Sequence, residues 1–487
     1  MEESSSMWLE NLISALEKKE IFGPSKVFIK GITNDSRKVK KDYLFVAVKG
    51  LTHDGHDFIN EAVKKGAKAS VGERDLKMQG TYIKVPDSRE ALGKLSSFWY
   101  GNPSKKLKVI GVTGTDGKTT TSNLIYWILK TAGQRVGLIS TIGAKIDNKT
   151  FDTGLHVTNP DPLSLQSLLS EMVKAGCDFA VLEVTSHGLD QGRVIGVNFD
   201  IGVLTNVTHE HLDYHKTYKN YALAKAKLFN TTETAILNKS DKSFDLIKSV
   251  LKPNIKVVDY LERELSSDEK RVVETRFPEE YNRLNALAAI SVAKELKISD
   301  KDIAKAIRTF PALPGRMEEI KTSQDFKIFV DFAHTPNALQ EVLSSLRKKL
   351  KKKGRLITVF GSAGERDTQK RAMMGLIAGK LSDISVLTAE DPRKEDASSI
   401  IDEIAGGAMK AEAKEAPQFY KVPERGEAIF FAIQKLARKG DIIAVLGKGH
   451  EKSMAYGGVE YPWSDYEAAA NALRGRKDIG VIVMGGG

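Results

Sequence analysis

The stretch Leu107–Ser122, LKVIGVTGTDGKTTTS, decides the fold of the middle of the chain. Its apolar run Val109–Val112 predicts a buried strand, and the residues after the glycines predict a helix. The turn between them, Gly114–Lys118, is of the kind that aims backbone N–H groups at phosphate oxygens from the start of a helix. Lys118 adds a positive charge at the same place. The stretch therefore predicts a phosphate-binding loop.

The loop departs from the strict GxxxxGK[ST] spacing, because Val112 stands where that pattern has its first glycine. We interpret it as a variant loop, and a glycine turn that binds no phosphate is the alternative. The hydroxyl of Thr119 or Thr120 would suit a Mg²⁺ ion bound together with the phosphates. The predicted nucleotide-binding residues of the loop are Gly114, Thr115, Asp116, Gly117, Lys118, Thr119 and Thr120.

Length, charge and cysteine content exclude several classes of protein. A chain of 487 residues with one cysteine is too long for a single core and forms no internal disulfide. The apolar runs have strand length and the N-terminus lacks the basic flank of a secretory signal, so we expect a cytoplasmic protein without a membrane partner. The net charge of +11 is spread among interspersed acidic residues, without an aromatic-rich RNA signature. We therefore expect no nucleic acid.

The alternation of strands and helices predicts an α/β protein of three domains. Residues 1–105 read as a small N-terminal α/β domain that ends at the punctuating Asn102-Pro103. Residues 106–308 repeat strand and helix units and predict a central P-loop ATPase-like, mostly parallel sheet. Residues 309–487 predict a C-terminal Rossmann-like α/β domain. No GxGxxG pattern follows its first strand, so we expect no bound NAD.

Ligands of parallel sheets bind beyond the carboxyl ends of the strands, so the residues at those ends are candidates. The strand Asp178–Glu183 ends in a carboxylate that could bind Mg²⁺, although a terminal Glu is often merely solvated. The segment Asn206–His215, NVTHEHLDYH, follows another strand and is dense in histidines and carboxylates, which suits a metal but not a structural zinc site. Asn238–Asp241, NKSD, imitates a guanine-reading motif. Without a matching switch segment, a GTPase is disfavoured.

Taken together, these motifs resemble the Mur ligase family over nearly the whole chain, and most of all the branch that adds the third residue of the peptidoglycan stem peptide. The resemblance implies that the three domains bind, in order, the UDP end of a nucleotide-sugar peptide, ATP, and the incoming amino acid. It implies ATP and Mg²⁺ as cofactors, and UDP-N-acetylmuramoyl dipeptide and a free diamino acid as partners of a monomer. A substrate carboxylate would attack the γ-phosphate, and an amine would then displace phosphate from the acyl phosphate.

The resemblance also implies roles for single residues. Lys118 matches the catalytic lysine of the loop, and Glu183 and His211 match the Mg²⁺ ligands, with Thr119 beside them. Lys225 falls where this branch carries a carbamylated lysine that helps to hold a second metal. From the residues alone, Lys225 reads as an ordinary lysine on a helix surface. The implied catalytic set is Lys118, Lys225, His211 and Glu183, and the implied metal set is Thr119, Glu183, His211 and Lys225.

Further residues match the family's nucleotide and UDP-substrate positions. Those of the nucleotide are Asn282 and Asn285 near the adenine and Arg316 and Asp331 near the ribose. Asn159 stands where the family has a second Thr, and Asp116 where it often has Asn. The implied positions for the UDP-sugar peptide are Ser36, His53, Thr158, Asn159, Thr185, Gln191 and Arg193.

The incoming amino acid is the remaining question. Members that use diaminopimelate carry Asp-Asn-Pro-Arg, and the matching residues are Glu390, Asp391, Pro392 and Arg393. Arg393 keeps the planar fork that suits the far carboxylate of meso-diaminopimelate, which lysine lacks. The extra acid favours an ammonium and disfavours that carboxylate, so lysine stays as the alternative. The remaining implied residues of this pocket are Arg366, Gly447 and Glu451.

Two other functions remain open at this point. One is a sister ligase of the folylpolyglutamate or cyanophycin type, which would share the ATP block but not the constellation of Ser36, His53 and Arg393. The other is a catalytically idle scaffold protein, which the intact Lys118 and Glu183 argue against.

Overall fold

The computed structural model describes residues 6–50, 53–76, 78–147, 149–151, 158–261, 265–321 and 323–476. These residues form three main sheets, arranged along the chain in the order predicted from the strand and helix alternation. Among them, no helix is long and apolar enough to cross a membrane.

The first sheet has the strand order β2-β7-β6-β5-β4, parallel except for β2, and β1 pairs with β3 beside it. A core of aliphatic side chains lies between this sheet and the helices α1 and α3. The elements are β1 (Met7–Trp8), α1 (Leu9–Ile13), β2 (Glu20–Phe22), β3 (Phe28–Ile29), β4 (Gly31–Thr33), β5 (Tyr43–Val46), α2 (Ile59–Lys64), β6 (Ala67–Gly72), β7 (Thr81–Lys84) and α3 (Ser88–Trp99).

The second sheet has the order β11-β10-β9-β12-β8-β13-β14-β15, and only the β10 and β11 pairings are antiparallel. Apolar clusters cover both of its faces, which is why its strands are continuous buried runs. The elements are β8 (Lys108–Thr113), α4 (Lys118–Thr131), β9 (Val136–Ser140), β10 (Gly143–Ile146), β11 (Lys149–Phe151), α5 (Pro162–Lys174), β12 (Phe179–Glu183), α6 (Ser186–Asp190), β13 (Ile201–Leu204), α7 (Leu212–His215), α8 (Tyr218–Ala226), β14 (Thr234–Asn238), α9 (Phe244–Ser249), β15 (Lys256–Tyr260), α10 (Ser267–Arg276), α11 (Glu280–Glu295) and α12 (Asp300–Thr309).

The third sheet has the order β16-β17-β21-β18-β19-β20, parallel except for β16, with the hairpin β22–β23 beyond it. Apolar clusters again cover both faces. The elements are β16 (Glu318–Ile320), β17 (Lys327–Asp331), α13 (Pro336–Lys349), β18 (Leu356–Phe360), α14 (Gln369–Leu381), β19 (Ile384–Leu387), α15 (Ala397–Lys410), β20 (Phe419–Lys421), α16 (Arg425–Phe431), β21 (Ile442–Leu446), β22 (Ser453–Tyr456), β23 (Val459–Pro462) and α17 (Asp465–Leu473).

The apolar run Val27–Ile32 predicts one strand, and this prediction is wrong. The structure divides the run into β3, which pairs with β1, and β4, which pairs with β5. The chain changes partner at Lys30, whose N–H donates to Asp42 O at 2.9 Å. Gly31 is needed next to this point, because a Cβ there would lie 2.4 Å from the Tyr43 ring. Apolar content alone does not show such a change of partner.

The strand order of the second sheet positions the candidate site. β8, which leads into the phosphate loop, lies between β12 and β13. Glu183 is the register partner of Val112, and Leu204 is the partner of Thr113. The loops after β12 and β13 therefore leave the sheet on either side of the phosphate loop, as the strand-end rule predicts.

Candidate active site

Two glycines of the phosphate loop are fixed by close packing. Gly117 has φ +83°, and a Cβ there would lie 2.1 Å from Asn285 Oδ1. Gly114 has φ +153°, and a Cβ there would lie 1.8 Å from Thr205 Oγ1. A side chain at either position would clash, so the loop keeps its backbone amides close to the start of α4.

Two buried lysines lie against this loop. Lys118 Nζ donates to Thr115 O at 2.7 Å, and burial lowers the pKa of its ammonium. Lys225 Nζ donates to Gly114 O at 2.6 Å and lies 4.2 Å from the centre of the Tyr221 ring. Burial, together with the charge of Lys118, takes the pKa of Lys225 well below its usual value. The interpretation of Lys225 as a helix-surface lysine is therefore wrong.

A hydroxyl and a carboxylate meet beside the loop. Thr119 Oγ1 donates to Glu183 Oε1 at 3.1 Å and accepts from Arg316 at 3.0 Å. Glu183 Oε2 accepts from the Thr141 N–H at 3.0 Å, and the Glu183 side chain is buried. Mg²⁺ in phosphate sites is held by one or two such oxygens, by phosphate and by water, so this pair fits it. Within the described ranges, no group of three or more His, Cys, Asp or Glu side chains forms a closed metal cage.

The histidines that follow β13 do not converge on one point. His209 faces the third sheet, and His215 Nε2 lies 3.2 Å from Ser186 Oγ. His211 lies edge-on to His187, with ring centres 4.6 Å apart. Burial lowers the pKa of His211 well below its usual value, which keeps the ring neutral and able to bind a metal. The three histidines of the dense segment therefore do not form one metal site together, and of the three only His211 lines the cleft, which Asn206 also lines.

The wall opposite the loop combines α11 with the end of β17. Asn285 donates to Asn282 Oδ1 at 3.5 Å, and both side chains line the cleft. Asp331 accepts hydrogen bonds from two backbone N–H groups at 2.6 and 2.8 Å. The Arg316 guanidinium lies 4.6 Å from the centre of the Phe332 ring. The cleft between this wall and the loop has a volume of about 720 Å³.

Most of the predicted site residues line this one cleft. Those that do are Thr115, Asp116, Gly117, Lys118, Thr119, Thr120, Thr158, Asn159, Glu183, Thr185, Gln191, Arg193, His211, Asn282, Asn285, Arg316, Asp331, Arg366 and Glu451. Gly114 and Lys225 lie directly behind the loop, as described above. Ser36 and His53 belong to the first sheet region and are not part of the cleft lining that the described residues form.

Asn159, which replaces a threonine of the family pattern, organises one end of the cleft. Its Nδ2 donates to Glu183 O at 2.7 Å, and its Oδ1 accepts from the N–H and the hydroxyl of Thr185 at 2.8 and 2.9 Å. Arg193 donates to Asn159 O at 2.9 Å. One amide thus ties Glu183 to the residues predicted to bind the sugar peptide. It does so with separate nitrogen and oxygen atoms, whereas a threonine has a single hydroxyl oxygen for these bonds.

The ends of β19 and β21 form a second charged group in the third sheet. Lys448 Nζ lies 2.7 Å from Asp391 Oδ2 and 2.5 Å from Glu451 Oε2, and the Lys448 side chain is fully buried. Asp391 Oδ1 also accepts from the Ala455 N–H at 2.9 Å. The two acids raise the pKa of Lys448 against the effect of burial. Asp391, the added acid in the motif Glu390–Arg393, therefore shares the buried Lys448 ammonium with Glu451.

Glu390 behaves differently from Asp391. It is buried, its Oε2 has no hydrogen-bond partner among the residues that the structure describes, and burial raises its pKa to about 7. A Cβ at Gly447, which has φ +114°, would lie 2.5 Å from Glu390 Oε2. The one negative charge that the changed motif was predicted to add therefore depends on Asp391, while Glu390 is partly neutral near pH 7.

Two guanidiniums accompany these acids. Partial burial and the nearby charge of Arg393 lower the pKa of Arg366. Arg393 is held through its backbone, because its N–H donates to Ala455 O at 2.9 Å and its carbonyl accepts from the Gly457 N–H at 2.6 Å. The positive charges of Arg366 and Arg393 are close enough to affect each other, and a ligand that carries two carboxylates balances them best.

Sequence reasoning missed several polar residues of the site. His334 and Asn337 line the cleft just after β17, and the strand-end rule that led to Asp331 could have found them. Lys349 also lines it, but from the far end of α13, where no local pattern marks it. Lys448 looks like one more loop lysine until its burial is known.

Comparison with known protein families decides the relationship. Residues 28–100 match the "Mur ligase family, catalytic domain", residues 112–293 the "Mur ligase middle domain", and residues 315–449 the "Mur ligase, glutamate ligase domain". The chain belongs to the Mur ligase family. The predicted α/β fold of three domains is thereby confirmed, since the neighbouring solved structures are Mur ligases of that architecture.

Individual Mur ligases are similar along almost the whole chain. UDP-N-acetylmuramoyl-L-alanyl-D-glutamate--2,6-diaminopimelate ligase from Parabacteroides distasonis is 40% identical over an alignment of 483 positions that covers 95% of this chain and 98% of that protein. A solved structure of a ligase with the same name is 28% identical, has a TM-score of 0.63, and covers 96% of this chain and 99% of its own. A MurF ligase from Thermotoga maritima in complex with ADP is 19% identical, with a TM-score of 0.60 and coverage of 92% and 97%, and shows the shared fold.

Proposed function

We propose that this Mur ligase adds meso-2,6-diaminopimelate to UDP-N-acetylmuramoyl-L-alanyl-D-glutamate, with ATP as the energy source, in peptidoglycan synthesis. The observation that carries the proposal is that one cleft joins the phosphate loop, Glu183 and the amino-acid residues Arg366 and Glu451. The similar proteins are named for this reaction over almost their full length. The enzyme is thus an acid–amino-acid ligase that forms ADP and phosphate.

The chain's own residues support this chemistry. The transferring phosphoryl group spreads negative charge over its oxygens, so catalysis depends chiefly on positioning and on positive charge. Lys118 and the loop amides would hold the phosphates, and Arg316 lies 3.0 Å from Thr119 at the same place. The cleft walls would keep water from the acyl phosphate until the amine arrives. The amine must be neutral to attack, and a buried site favours its neutral form.

We assign Mg²⁺ to Thr119, Glu183 and His211, where it would neutralise phosphate charge when bound. What supports this assignment is the short contact between Thr119 and Glu183 and the neutral ring of His211. We also propose that Lys225 is carbamylated. Carbamylation requires a neutral amine, and the lowered pKa of the buried Lys225 supplies one.

The identity of the amino acid that is added is the most specific part of the proposal. Arg366 and Arg393 suit two carboxylates, and meso-diaminopimelate has two where lysine has one. Glu451, which shares Lys448 with Asp391, can accept the far ammonium. We further propose a monomer with domains at residues 1–105, 106–308 and 309–487 and a cytoplasmic location, since one chain supplies the whole cleft and the substrates are ATP and a nucleotide sugar.

Phosphate release by the purified enzyme tests the proposal. We expect release only when UDP-N-acetylmuramoyl-L-alanyl-D-glutamate and meso-diaminopimelate are both present, across a panel that includes lysine. Release with a folate and glutamate would instead indicate a sister ligase, and no release with any substrate would indicate an idle scaffold. Arg393→Ala should raise KM for diaminopimelate about 10- to 100-fold, as expected for the loss of a charge-assisted pair, with a far smaller effect on lysine. Equal losses would contradict the assigned pocket.

A further inference from the structure

One ion pair and one histidine–carboxylate contact cross the seam between the second and third sheet domains, and none of their four members belongs to the predicted site. Lys370 Nζ lies 3.3 Å from Glu210 Oε1, and His209 Nε2 lies 3.5 Å from Asp367 Oδ2. His209 and Glu210 are consecutive residues after β13. Asp367 and Lys370 lie at the start of α14, where Asp367 also accepts from the N–H of Gln369 at 3.0 Å. One loop is thus fastened to one helix start at two points.

The Lys370–Glu210 pair lies out of reach of solvent, whereas the His209 side chain is 33% exposed. The side chains of Lys370, Glu210 and Asp367 are 3%, 4% and 4% exposed. Bringing such charges together in a closed seam costs desolvation free energy, so a buried pair contributes little net stability. Removing one partner, in contrast, leaves an uncompensated buried charge and is strongly unfavourable. A pair of this kind therefore adds little stability to the contact between the two domains. It selects the one relative arrangement in which both charges are paired.

Each side of the seam is adjacent to a cleft residue. Glu210 precedes His211, which has the left-handed backbone φ of +56°. Asp367 follows Arg366, which lines the same cleft near the amino-acid residues. The two contacts consequently set the separation between the phosphate side and the amino-acid side of the cleft.

We propose that Lys370 is a positioning residue for the ligation, acting through Glu210 to bring the His211 loop and the Arg366 segment into register when the domains close. The proposal rests on the proposed function for the identity of the reaction. Closure of the second and third domains is independent of which substrates react, and it can be measured without turnover.

The burial of the Lys370–Glu210 pair determines whether each variant favours or disfavours the closed arrangement of the domains. Lys370→Met leaves the Glu210 carboxylate without its cation in the closed seam, and Glu210→Gln leaves the ammonium without its anion. Both single variants should disfavour the closed arrangement. The double variant removes both charges while keeping the volumes similar, so it should close again. Lys380→Met, at an exposed position on the same helix, is the matched control.

The experiment compares these variants by steady-state kinetics and by small-angle scattering with AMP-PNP and UDP-N-acetylmuramoyl-L-alanyl-D-glutamate. We expect each single variant to lower kcat by about 10-fold or more, to leave KM for the UDP substrate within about 2-fold, and to keep a larger radius of gyration than wild type. The double variant should recover to within about 3-fold of wild-type kcat and to the wild-type radius. A double variant no better than Lys370→Met, or a Lys370→Met enzyme with wild-type kcat and radius, would overturn the proposal.

Two further measurements keep the test decisive. If Lys370→Met melts early, Asp367→Asn replaces it, because asparagine can still accept from the Gln369 N–H while the carboxylate charge facing His209 is lost. This variant should lower kcat several-fold, and an unchanged kcat and radius would also overturn the proposal. Absence of wild-type turnover with diaminopimelate would count against the proposed function alone, since the scattering comparison would still decide the role of Lys370.

Discussion

Glu390→Gln is the substitution whose effect the structure specifies most closely. The buried carboxyl of Glu390 has a pKa of about 7, compared with an ordinary value of 4.5. Each pKa unit corresponds to about 1.4 kcal/mol, so the native state would lose about 3 kcal/mol of stability between these two values.

The sign follows from proton binding. Between pH 4.5 and about 7 the native protein keeps the proton of Glu390, while the unfolded chain releases it. The native state then binds more protons than the unfolded state, so the free energy of unfolding falls as the pH rises through this window. Above about pH 7 both states are ionised and the contribution stays at its lower level. Glutamine resembles the protonated carboxyl in shape and does not titrate.

Urea unfolding of both proteins at pH 5, 6, 7 and 8 measures this difference. The stability of Glu390→Gln relative to wild type should rise by about 2.5 kcal/mol from pH 5 to pH 8 and level off above pH 7. Glu427→Gln, at an exposed glutamate on α16, is the matched control and should show no such rise. A difference between Glu390→Gln and wild type that does not change with pH would refute the inference that burial keeps Glu390 protonated.

Two further predictions concern the phosphate loop. Lys225→Ala should lower kcat about 100-fold, as expected for loss of a group that holds a metal, and added short carboxylates should restore part of it; unaffected turnover would remove carbamylation from the account. Asp116 accepts from Asn337 Nδ2 at 2.9 Å and from Thr335 Oγ1 at 3.3 Å, at the start of α13. Asp116→Asn should cost about 2- to 5-fold in kcat through loss of the helix-end charge interaction, and Asp116→Ala more; the reverse order in a steady-state assay would contradict this role.

The local elements could be predicted well because their signals are local. The sequence predicts strands at residues 327–331, 356–360 and 442–446 and a helix at residues 369–381, and the structure has the same bounds. Buried strands are short apolar runs, which a local pattern shows. The division of Val27–Ile32 into two strands could not be predicted, because a change of pairing partner depends on distant strands. Helix α11, which carries Asn282 and Asn285, was not predicted as an element.

The site shows the same division. The loop motif led to Lys118, the strand-end rule led to Glu183 and to the segment Asn206–His215, and the resemblance singled out His211 within that segment. The structure brings Lys118, Glu183 and His211 to one cleft. Reasoning from the residues alone could not distinguish Lys225 from a surface lysine, because the sequence does not show that the Lys225 amine is buried against Gly114 O. Nor could it show that the three histidines after β13 diverge, since their directions depend on the backbone turn.

The sequence by itself determined the order of domains, the phosphate loop, the residue types at the strand ends and the resemblance to the Mur ligases. Only the tertiary structure decided which charges are neutralised. Asp391 shares Lys448 with Glu451, Glu390 is left without a hydrogen-bond partner for one oxygen, and Lys370 crosses a domain seam to Glu210. The physical reason is that the free energy of a charge depends on burial and on partners brought from distant parts of the chain, and neither is encoded in local spacing.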